Sequence, residues 1–211
     1  MRIGPDYRAE HVLSDGTRLV VRPIQAEDAA TLREAYARLS PSSRYRRFFG
    51  GVAELSDETL RYLTNVDGTN HFAIVASTES PDLKTEKGIG VARFIRLHDD
   101  SEVAEPAVTV IDDMQGKGVG RILLNALTEA ARERGVHRFR AQVLASNAPI
   151  RRLLDEVGAV VQREESGALV FDIALGPSEP EAHPTNALAR LLREAAASMA
   201  VRIRHLRPPA A

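Results

Sequence analysis

Three glycines within five residues form the part of the sequence best suited to binding an anion. They lie in the glycine loop, which we define as residues 112–121, Asp112-Asp113-Met114-Gln115-Gly116-Lys117-Gly118-Val119-Gly120-Arg121. Glycine lets a backbone come close to a bound group, and the first turn of a helix presents N–H donors at the positive end of its dipole. The pattern fits a pyrophosphate site. On the glycines alone, a tight strand-to-helix turn without a ligand fits equally well.

The spacing of the loop excludes two common phosphate motifs. A P-loop requires Gly-Lys followed by Ser or Thr, whereas here Lys117 precedes Gly118 and no hydroxyl residue lies between Met114 and Gly120. A dinucleotide fingerprint, Gly-x-Gly-x-x-Gly, requires a third glycine where the sequence has Arg121 or Leu123. The loop therefore needs another explanation if it binds a phosphate group.

Composition narrows the chemistry further. The chain has 211 residues, a net charge of -1 and no cysteine. Disulfides, thiolate metal ligands and acyl-cysteine intermediates are therefore excluded, and no overall charge attracts nucleic acid. The six histidines show no metal-ligand spacing, so we expect no metal. No apolar stretch approaches the roughly 18 residues of a membrane span, and the region from Met1 to His11 lacks a signal-peptide core, so we expect a cytoplasmic protein.

Apolar periodicity predicts the elements that position the loop. A strong helical stripe from Val119 ends at Gly135, and other helices are predicted from Asp28 to Leu39, after Ser40-Pro41, after Ser56, and from Pro149 to Val157. Alternating or β-branched runs predict strands. These runs cover residues 17–22, 71–77, 88–97, 102–111, 139–144, 160–162 and 169–173.

This order predicts a mixed α/β domain, with a largely antiparallel sheet, flanking helices and one strand-helix-strand crossover. We expect the domain to span residues 1–175, followed by a Pro-rich linker at 176–185. Residues 186–207 predict an amphipathic C-terminal helix with an arginine face. Such a helix could dock on its own domain, on a partner, or on a second copy to form a homodimer.

The loop and its surroundings resemble the GNAT superfamily of N-acetyltransferases. The family signature, Gln/Arg-x-x-Gly-x-Gly/Ala, is matched by Gln115, Gly118 and Gly120 at the same strand-to-helix junction. The order of elements from about residue 17 to 174 is similar to that of the family. Asn147 stands where the family has an asparagine, although it is also a good helix N-cap. The segment 39–49, Leu-Ser-Pro-Ser-Ser-Arg-Tyr-Arg-Arg-Phe-Phe, looks like part of the bacterial Pat-type protein lysine acetyltransferases.

The resemblance implies a GNAT fold with acetyl-CoA as the acyl donor. Loop amides would hold the pyrophosphate, main-chain groups of the preceding strand would contact the pantetheine arm, and an asparagine would contact the CoA. The implied cofactor-binding residues are Val108, Thr109, Val110, Gln115, Gly116, Lys117, Gly118, Val119, Gly120, Arg121 and Asn147.

Acetyl transfer to an amine also requires a base, because a primary amine with a pKa of about 10.4 is protonated at neutral pH. The resemblance implies that Glu105 is this base and acts through water. Without the resemblance, Glu105 reads as an exposed strand-edge residue. Glu102 is the competing carboxylate, but in a regular strand it would point to the opposite face.

Two features of the sequence bear on the rest of the mechanism. Pro106 removes a strand donor and so predicts a local irregularity, in the strand that carries a bulge in the family. Many GNAT enzymes place a tyrosine acid seven residues after the asparagine, where this chain has Leu154, and Ala159 replaces an aromatic residue. The group that protonates the leaving thiolate is therefore not identified.

The leading hypothesis is an acetyl-CoA-dependent N-acetyltransferase acting by direct attack in a ternary complex. We favour a protein lysine as the acceptor, with a small-molecule amine as the other candidate. A non-catalytic acyl-CoA-binding or sensor module is the alternative, and a nucleotide-phosphate binder is a third hypothesis.

Overall fold

The computed structural model describes residues 3–41, 43–44, 54–79, 86–144, 160–165 and 168–176. These residues form an eight-stranded sheet with helices packed on its faces. In chain order the elements are β1 (Ala9–Val12), β2 (Arg18–Pro23), α1 (Ala29–Ala37), α2 (Asp57–Thr64), β3 (His71–Glu79), β4 (Glu86–Arg96), β5 (Val103–Val110), α3 (Val119–Glu133), β6 (Arg138–Leu144), β7 (Val160–Glu165) and β8 (Ala168–Ala174).

The strands lie in the order β1-β2-β3-β4-β5-β6-β8-β7. Each neighbouring pair is antiparallel except β5 and β6, which run parallel and are joined through α3. A parallel pair needs such a crossover, whereas antiparallel neighbours can be joined by short turns. The mixed, mostly antiparallel sheet predicted from the sequence is confirmed.

The helix after the glycine loop packs on one face of the sheet. The predicted stripe of α3 is buried, with Val119, Leu123 and Leu127 each at most 1% exposed. A Cβ built on Gly90 of β4 would lie 2.9 Å from the Leu123 side chain and 3.4 Å from that of Val110, so α3 sits directly on β4 and β5.

The other face of the sheet carries α1 and α2. Arg22 at the end of β2 connects this helical layer to the sheet, because its guanidinium donates to both carboxylate oxygens of Asp28 and to Glu86 of β4. Asp28 in turn accepts from the Gln25 N–H just before α1. The N-cap of α2 is Ser56, as predicted, since its side chain accepts from the Thr59 N–H at 3.1 Å.

Several predicted elements lie partly or wholly outside the described residues. These are most of the helix after Ser40-Pro41, of which residues 41, 43 and 44 are helical, together with the helix at 149–157, the linker at 176–185 beyond Gly176, and the helix at 186–207. Strand β1 was not predicted. Its four residues include Glu10 and His11 and lack a continuous apolar run, so its extended form depends on pairing with β2. Among the residues that the structure describes, no helix has the length and apolarity to cross a membrane.

The predicted irregularity at Pro106 is wrong. The register between β4 and β5 runs without a shift from Arg96 opposite Ala104 to Gly90 opposite Val110. In this ladder the odd-numbered residues of β5 bond to β4, as the bonds at its two ends demonstrate: Leu97 N–H to Val103 O and Ile111 N–H to Ile89 O. Because alternate residues of an antiparallel pair direct their backbone groups outward, the missing N–H of Pro106 faces away from β4 and removes no bond.

Candidate active site

The glycine loop has the backbone conformation that its glycines permit. Gly116 and Gly118 have φ angles of 74° and 96°, in the left-handed region that strains other residues. Gly118 is the N-cap of α3 and provides no side-chain cap. A Cβ built at either glycine meets no atom of the described residues within 4 Å, so this part of the chain leaves the space beside the loop open. The first-turn N–H groups of α3, at Val119, Gly120 and Arg121, therefore face a region that can hold an anion.

Two side chains of the loop are engaged within the protein. The Gln115 amide nitrogen donates to the Val110 carbonyl at 3.0 Å and closes the loop onto the end of β5. The Lys117 ammonium lies 3.1 Å from Asp15 in the β1–β2 turn. Hydrogen bonds from Thr17, followed by the interaction with Lys117, lower the pKa of Asp15 to about 2. Nothing in the sequence pattern pointed to Asp15, because the turn and the loop are about 100 residues apart.

The two aspartates at the start of the loop bind the segment that follows α1. Asp112 accepts from the Ser40 N–H and hydroxyl at 2.9 and 2.8 Å and from the Ser43 hydroxyl at 2.8 Å. Asp113 accepts from Arg38 at 2.9 Å. Both aspartates lie in the short 3-10 helix Asp112–Met114. In the described part of the chain no group of three or more His, Asp or Glu side chains is placed to hold a metal ion.

One edge of β5 is open along most of its length. Strand β6 pairs only with Val103 and Ala104, and beyond them no described strand continues this side of β5. The backbone groups of the even-numbered residues point to this edge, namely the carbonyl of Pro106, both groups of Val108 and the N–H of Val110.

Thr109 is predicted as a main-chain contact, but its register with Val91 directs its backbone groups to β4. Its side chain instead lines a cleft between α1 and the sheet, whose walls are mostly apolar. Val108 and Val110 are therefore better placed than Thr109 to offer backbone groups to a ligand on the open edge. The role of Thr109 stays a prediction.

Glu105 lies at the other end of β5, opposite Ile95 of β4, and is half-buried. Its competitor Glu102 precedes the strand and is exposed, while its carbonyl accepts from the N–H groups of His137 and Arg138. The structure thus separates the two carboxylates by environment, and only Glu105 stands on the strand that leads to the glycine loop.

Three further side chains that the sequence did not single out lie near Glu105. The Arg93 guanidinium donates to His71 Nε2 at 2.9 Å and to the Leu63 carbonyl at 3.0 Å. The Tyr62 and His71 rings are 5.2 Å apart. Burial, with the positive charge of Arg93, lowers the pKa of His71 to about 4. Burial also raises the pKa of Tyr62, with Arg93 acting to lower it and Glu105 to raise it.

Asn147, Leu154 and Ala159 lie outside the described residues. The predicted contact of Asn147 with the cofactor and the question of a thiolate acid at Leu154 therefore stay at the level of the sequence.

Comparisons with known proteins identify the family of the chain. The family model of the GNAT acetyltransferase domain matches residues 18–160. Acetyltransferase Pat of Mycolicibacterium smegmatis is 34% identical over 166 residues, which are 77% of this chain and 47% of that protein. Acetyltransferase PA5475 of Pseudomonas aeruginosa is 32% identical over 165 residues, which are 77% of this chain and 87% of that protein.

A solved structure gives the same relationship. The crystal structure of the GNAT domain of S. lividans PAT matches with a TM-score of 0.68 and 30% identity, covering 79% of this chain and 96% of that domain. The chain spans about half the length of the M. smegmatis relative, 47%. The matched residues 18–160 contain β5, the glycine loop and α3, and on these matches the chain belongs to the GNAT family of acetyltransferases.

Proposed function

We propose that the chain transfers the acetyl group of acetyl-CoA to a primary amine by direct attack in a ternary complex, with Glu105 as the general base. The observation that carries this proposal is the open edge of β5, which runs from the glycine loop to the half-buried Glu105. One strand thus connects an anion site with a carboxylate across a row of backbone donors and acceptors.

The residues at the loop fit a CoA pyrophosphate. The uncapped first turn of α3 offers N–H groups and the positive end of a helix dipole, and the open space beside Gly116 and Gly118 allows close approach. Lys117 adds a cation that a phosphate can take over from Asp15. Val108 and Val110 would hold an extended pantetheine amide chain through the groups on the open edge. Acetyl-CoA, when bound, supplies the acetyl thioester.

Glu105 would supply the proton acceptor. The ammonium form of the acceptor has no lone pair, so a base must take one proton before nitrogen attacks the acetyl carbonyl carbon. The new bond is N–C, the bond that breaks is C–S, and the sulfur leaves as a thiolate. The nitrogen loses its second proton to solvent as it becomes the amide. Glu105 receives the amine proton, directly or through one water. The chain has no cysteine, so an acyl-cysteine relay is not available.

For the acceptor we favour a protein lysine. The support is the likeness of the segment 39–49 to Pat-type enzymes and the similarity to proteins named Pat. Asp112 also fixes the start of this segment to the glycine loop through Ser40 and Ser43. A screen that measures CoA release across lysine peptides, free lysine and polyamines, with acetylated proteins located by mass spectrometry, tests this choice. Turnover only with small amines would contradict it.

The change Glu105→Gln tests the catalytic proposal, because it removes the base and preserves the size of the side chain. We expect turnover to fall about 100-fold or more, as is usual for loss of a general base, while acetyl-CoA affinity by calorimetry changes less than about threefold. Glu102→Gln is the matched control and should retain full turnover.

An unchanged acetylation rate in the Glu105→Gln variant would contradict the assignment of the base. If the wild-type protein binds acetyl-CoA and releases no CoA with any amine, the non-catalytic acyl-CoA-binding alternative holds. Tighter binding of ATP than of acetyl-CoA would instead favour a nucleotide-phosphate site.

A further inference from the structure

Arg93 is a buried cation that the proposed mechanism does not yet use. Its side chain is 2% exposed and lies on the sheet face covered by α2. Two of its hydrogen-bond partners are electrically neutral groups, the Leu63 carbonyl in the last turn of α2 and the imidazole of His71 on β3. A guanidinium only donates hydrogen bonds, so His71 Nε2 must accept, and the imidazole is in its neutral form.

The strand register brings Arg93 and Glu105 to the same face. Arg93 is opposite Ala107, and Glu105 is opposite Ile95 two residues further along β4, so the two side chains are diagonal neighbours. Diagonal neighbours on one face are within reach of each other when their side chains are long. Tyr62 of α2 responds to both charges, since Arg93 acts to lower its pKa and Glu105 to raise it, in addition to the larger effect of burial.

Two other charged groups near this face are engaged elsewhere. On β6, across the open edge, Arg140 donates to both carboxylate oxygens of Asp172 on β8 at 2.7 and 2.8 Å. Asp67 accepts the N–H groups that lead into β3, and its charge acts to raise the pKa of His71. Arg93 is set against Glu105 by the register and is bonded to two uncharged groups.

We propose that Arg93 is a positioning residue for Glu105. The buried guanidinium of Arg93 keeps the Glu105 carboxyl ionised and directed toward the amine acceptor. An opposite charge within about 4–6 Å favours the charged form of a carboxyl, and burial strengthens the effect because little solvent screens it. The neutral imidazole of His71 holds Arg93 in place through a hydrogen bond and does not cancel the charge of the guanidinium. The inference rests on the proposed role of Glu105 as the base.

The direct test is the titration of Glu105 in protein labelled with 13C at glutamate carboxyls, with the Glu105 signal assigned by its loss in Glu105→Gln. Replacing Arg93→Gln removes the charge, and we expect the titration midpoint of Glu105 to rise by about one pH unit. The charge-conserving change Arg93→Lys should leave the midpoint within about half a unit of wild type. The acid limb of the kcat profile should move in the same direction with a fixed amine acceptor.

A second variant keeps the test decisive if Arg93→Gln does not fold. Arg93→Met removes the charge and keeps an apolar stem in the buried site, so it should also raise the midpoint of Glu105. A purely structural Arg93 would alter the unfolding temperature in these variants and leave the midpoint of Glu105 unchanged, which would overturn the inference. Full turnover of Glu105→Gln would refute the proposed function itself, whereas lost turnover with an unmoved midpoint would refute only the role of Arg93.

Discussion

The two ends of β5 carry the two halves of the candidate site in different ways. At its C-terminal end the glycine loop offers backbone N–H groups and an exposed lysine, and its form depends on residues adjacent in sequence. At its N-terminal end Glu105 shares a sheet face with side chains from α2, β3 and β4, which come together only through strand register. The first half is a local property of the chain, and the second is a property of the whole sheet.

The difference extends to electrostatics. The Lys117–Asp15 pair at the loop is about 40% exposed on each side, and exposed pairs of this kind contribute little. Around Glu105 the interactions are shielded, and burial is the largest cause of the lowered pKa of His71. We therefore expect substitutions at the N-terminal end to change stability and proton affinity, and substitutions at the loop to change ligand affinity.

The largest expected effect is the acid sensitivity of the buried end. The folded state lowers the pKa of His71 from 6.5 to about 4, so its contribution to stability is complete above about 6.5 and is lost as the pH falls toward 4. A shift of this size corresponds to about 3 kcal/mol at most. The difference in unfolding free energy between wild type and His71→Gln, measured by urea denaturation, should change by up to this amount between pH 7 and 4.

Gln at position 71 keeps an acceptor for Arg93 and does not titrate. Carboxylates with lowered pKa values, such as Asp67 and Glu86, are present in both proteins and cancel in the comparison. A difference that stays constant over this pH range would mean that His71 is not held neutral by the fold.

A smaller effect is expected when the backbone of the loop is strained. Gly118→Val places a β-branched residue at a φ of 96°, which costs about 1–2 kcal/mol or shifts the loop. We expect acetyl-CoA to bind at least about tenfold more weakly, which is about 1.4 kcal/mol, in a calorimetric titration. Gly135→Val at the opposite end of α3 has a similar φ of 75° and should lose stability without losing affinity. Equal affinities of the two variants for acetyl-CoA would contradict the assignment of the glycine loop as the ligand-binding end.

Next in size is the loss of one donor on the open edge. Val108→Pro removes an N–H that faces away from β4, as Pro106 does naturally, so the ladder to β4 should remain. We expect the dissociation constant of acetyl-CoA to rise about fivefold, the value of one ordinary hydrogen bond. Thr109→Pro is the contrasting variant, because it removes an N–H that faces β4 and should lower the unfolding free energy more than Val108→Pro does. Wild-type affinity of Val108→Pro would exclude the edge as a contact.

The smallest effect concerns the exposed ion pair. Asp15→Asn frees Lys117 for a phosphate, and we expect acetyl-CoA to bind about twofold more tightly at low salt, with the gain fading as salt rises. Lys117→Met should abolish this gain in the double variant. Weaker binding of Asp15→Asn would indicate that Asp15 shapes the loop and does not compete with the ligand.

The local geometry of the loop could be predicted from the sequence for a physical reason. The glycines, the stripe of α3 and the strand before them are contiguous, and their periodicity reports local geometry directly. Gly116 and Gly118 both adopt the left-handed conformation, which glycine tolerates without strain. The mixed sheet could also be predicted, because the spacing of strands and turns limits how neighbours pair.

The Glu105 half could be predicted only in its central residue. Tyr62, His71 and Arg93 lie up to 43 positions from Glu105. Sequence periodicity does not predict that α2, β3 and β4 bring them to the same place. Pro106 was misjudged because the sequence does not reveal which residues of a strand bond to which neighbour. The acceptor, the cytoplasmic location, the division into 1–175, 176–185 and 186–207, and pairing of two copies through the last segment stay predictions.

The open edge of β5 also means that a bound chain would complete the sheet as an additional strand between β5 and β6. A ligand that binds only the folded protein adds about 2.7 kcal/mol to its stability at 100 times the dissociation constant. The amide hydrogens of Val108 and Val110, which face this edge, should then exchange with solvent more slowly. Hydrogen exchange at these two valines would thus report whether acetyl-CoA is bound before the amine acceptor is known.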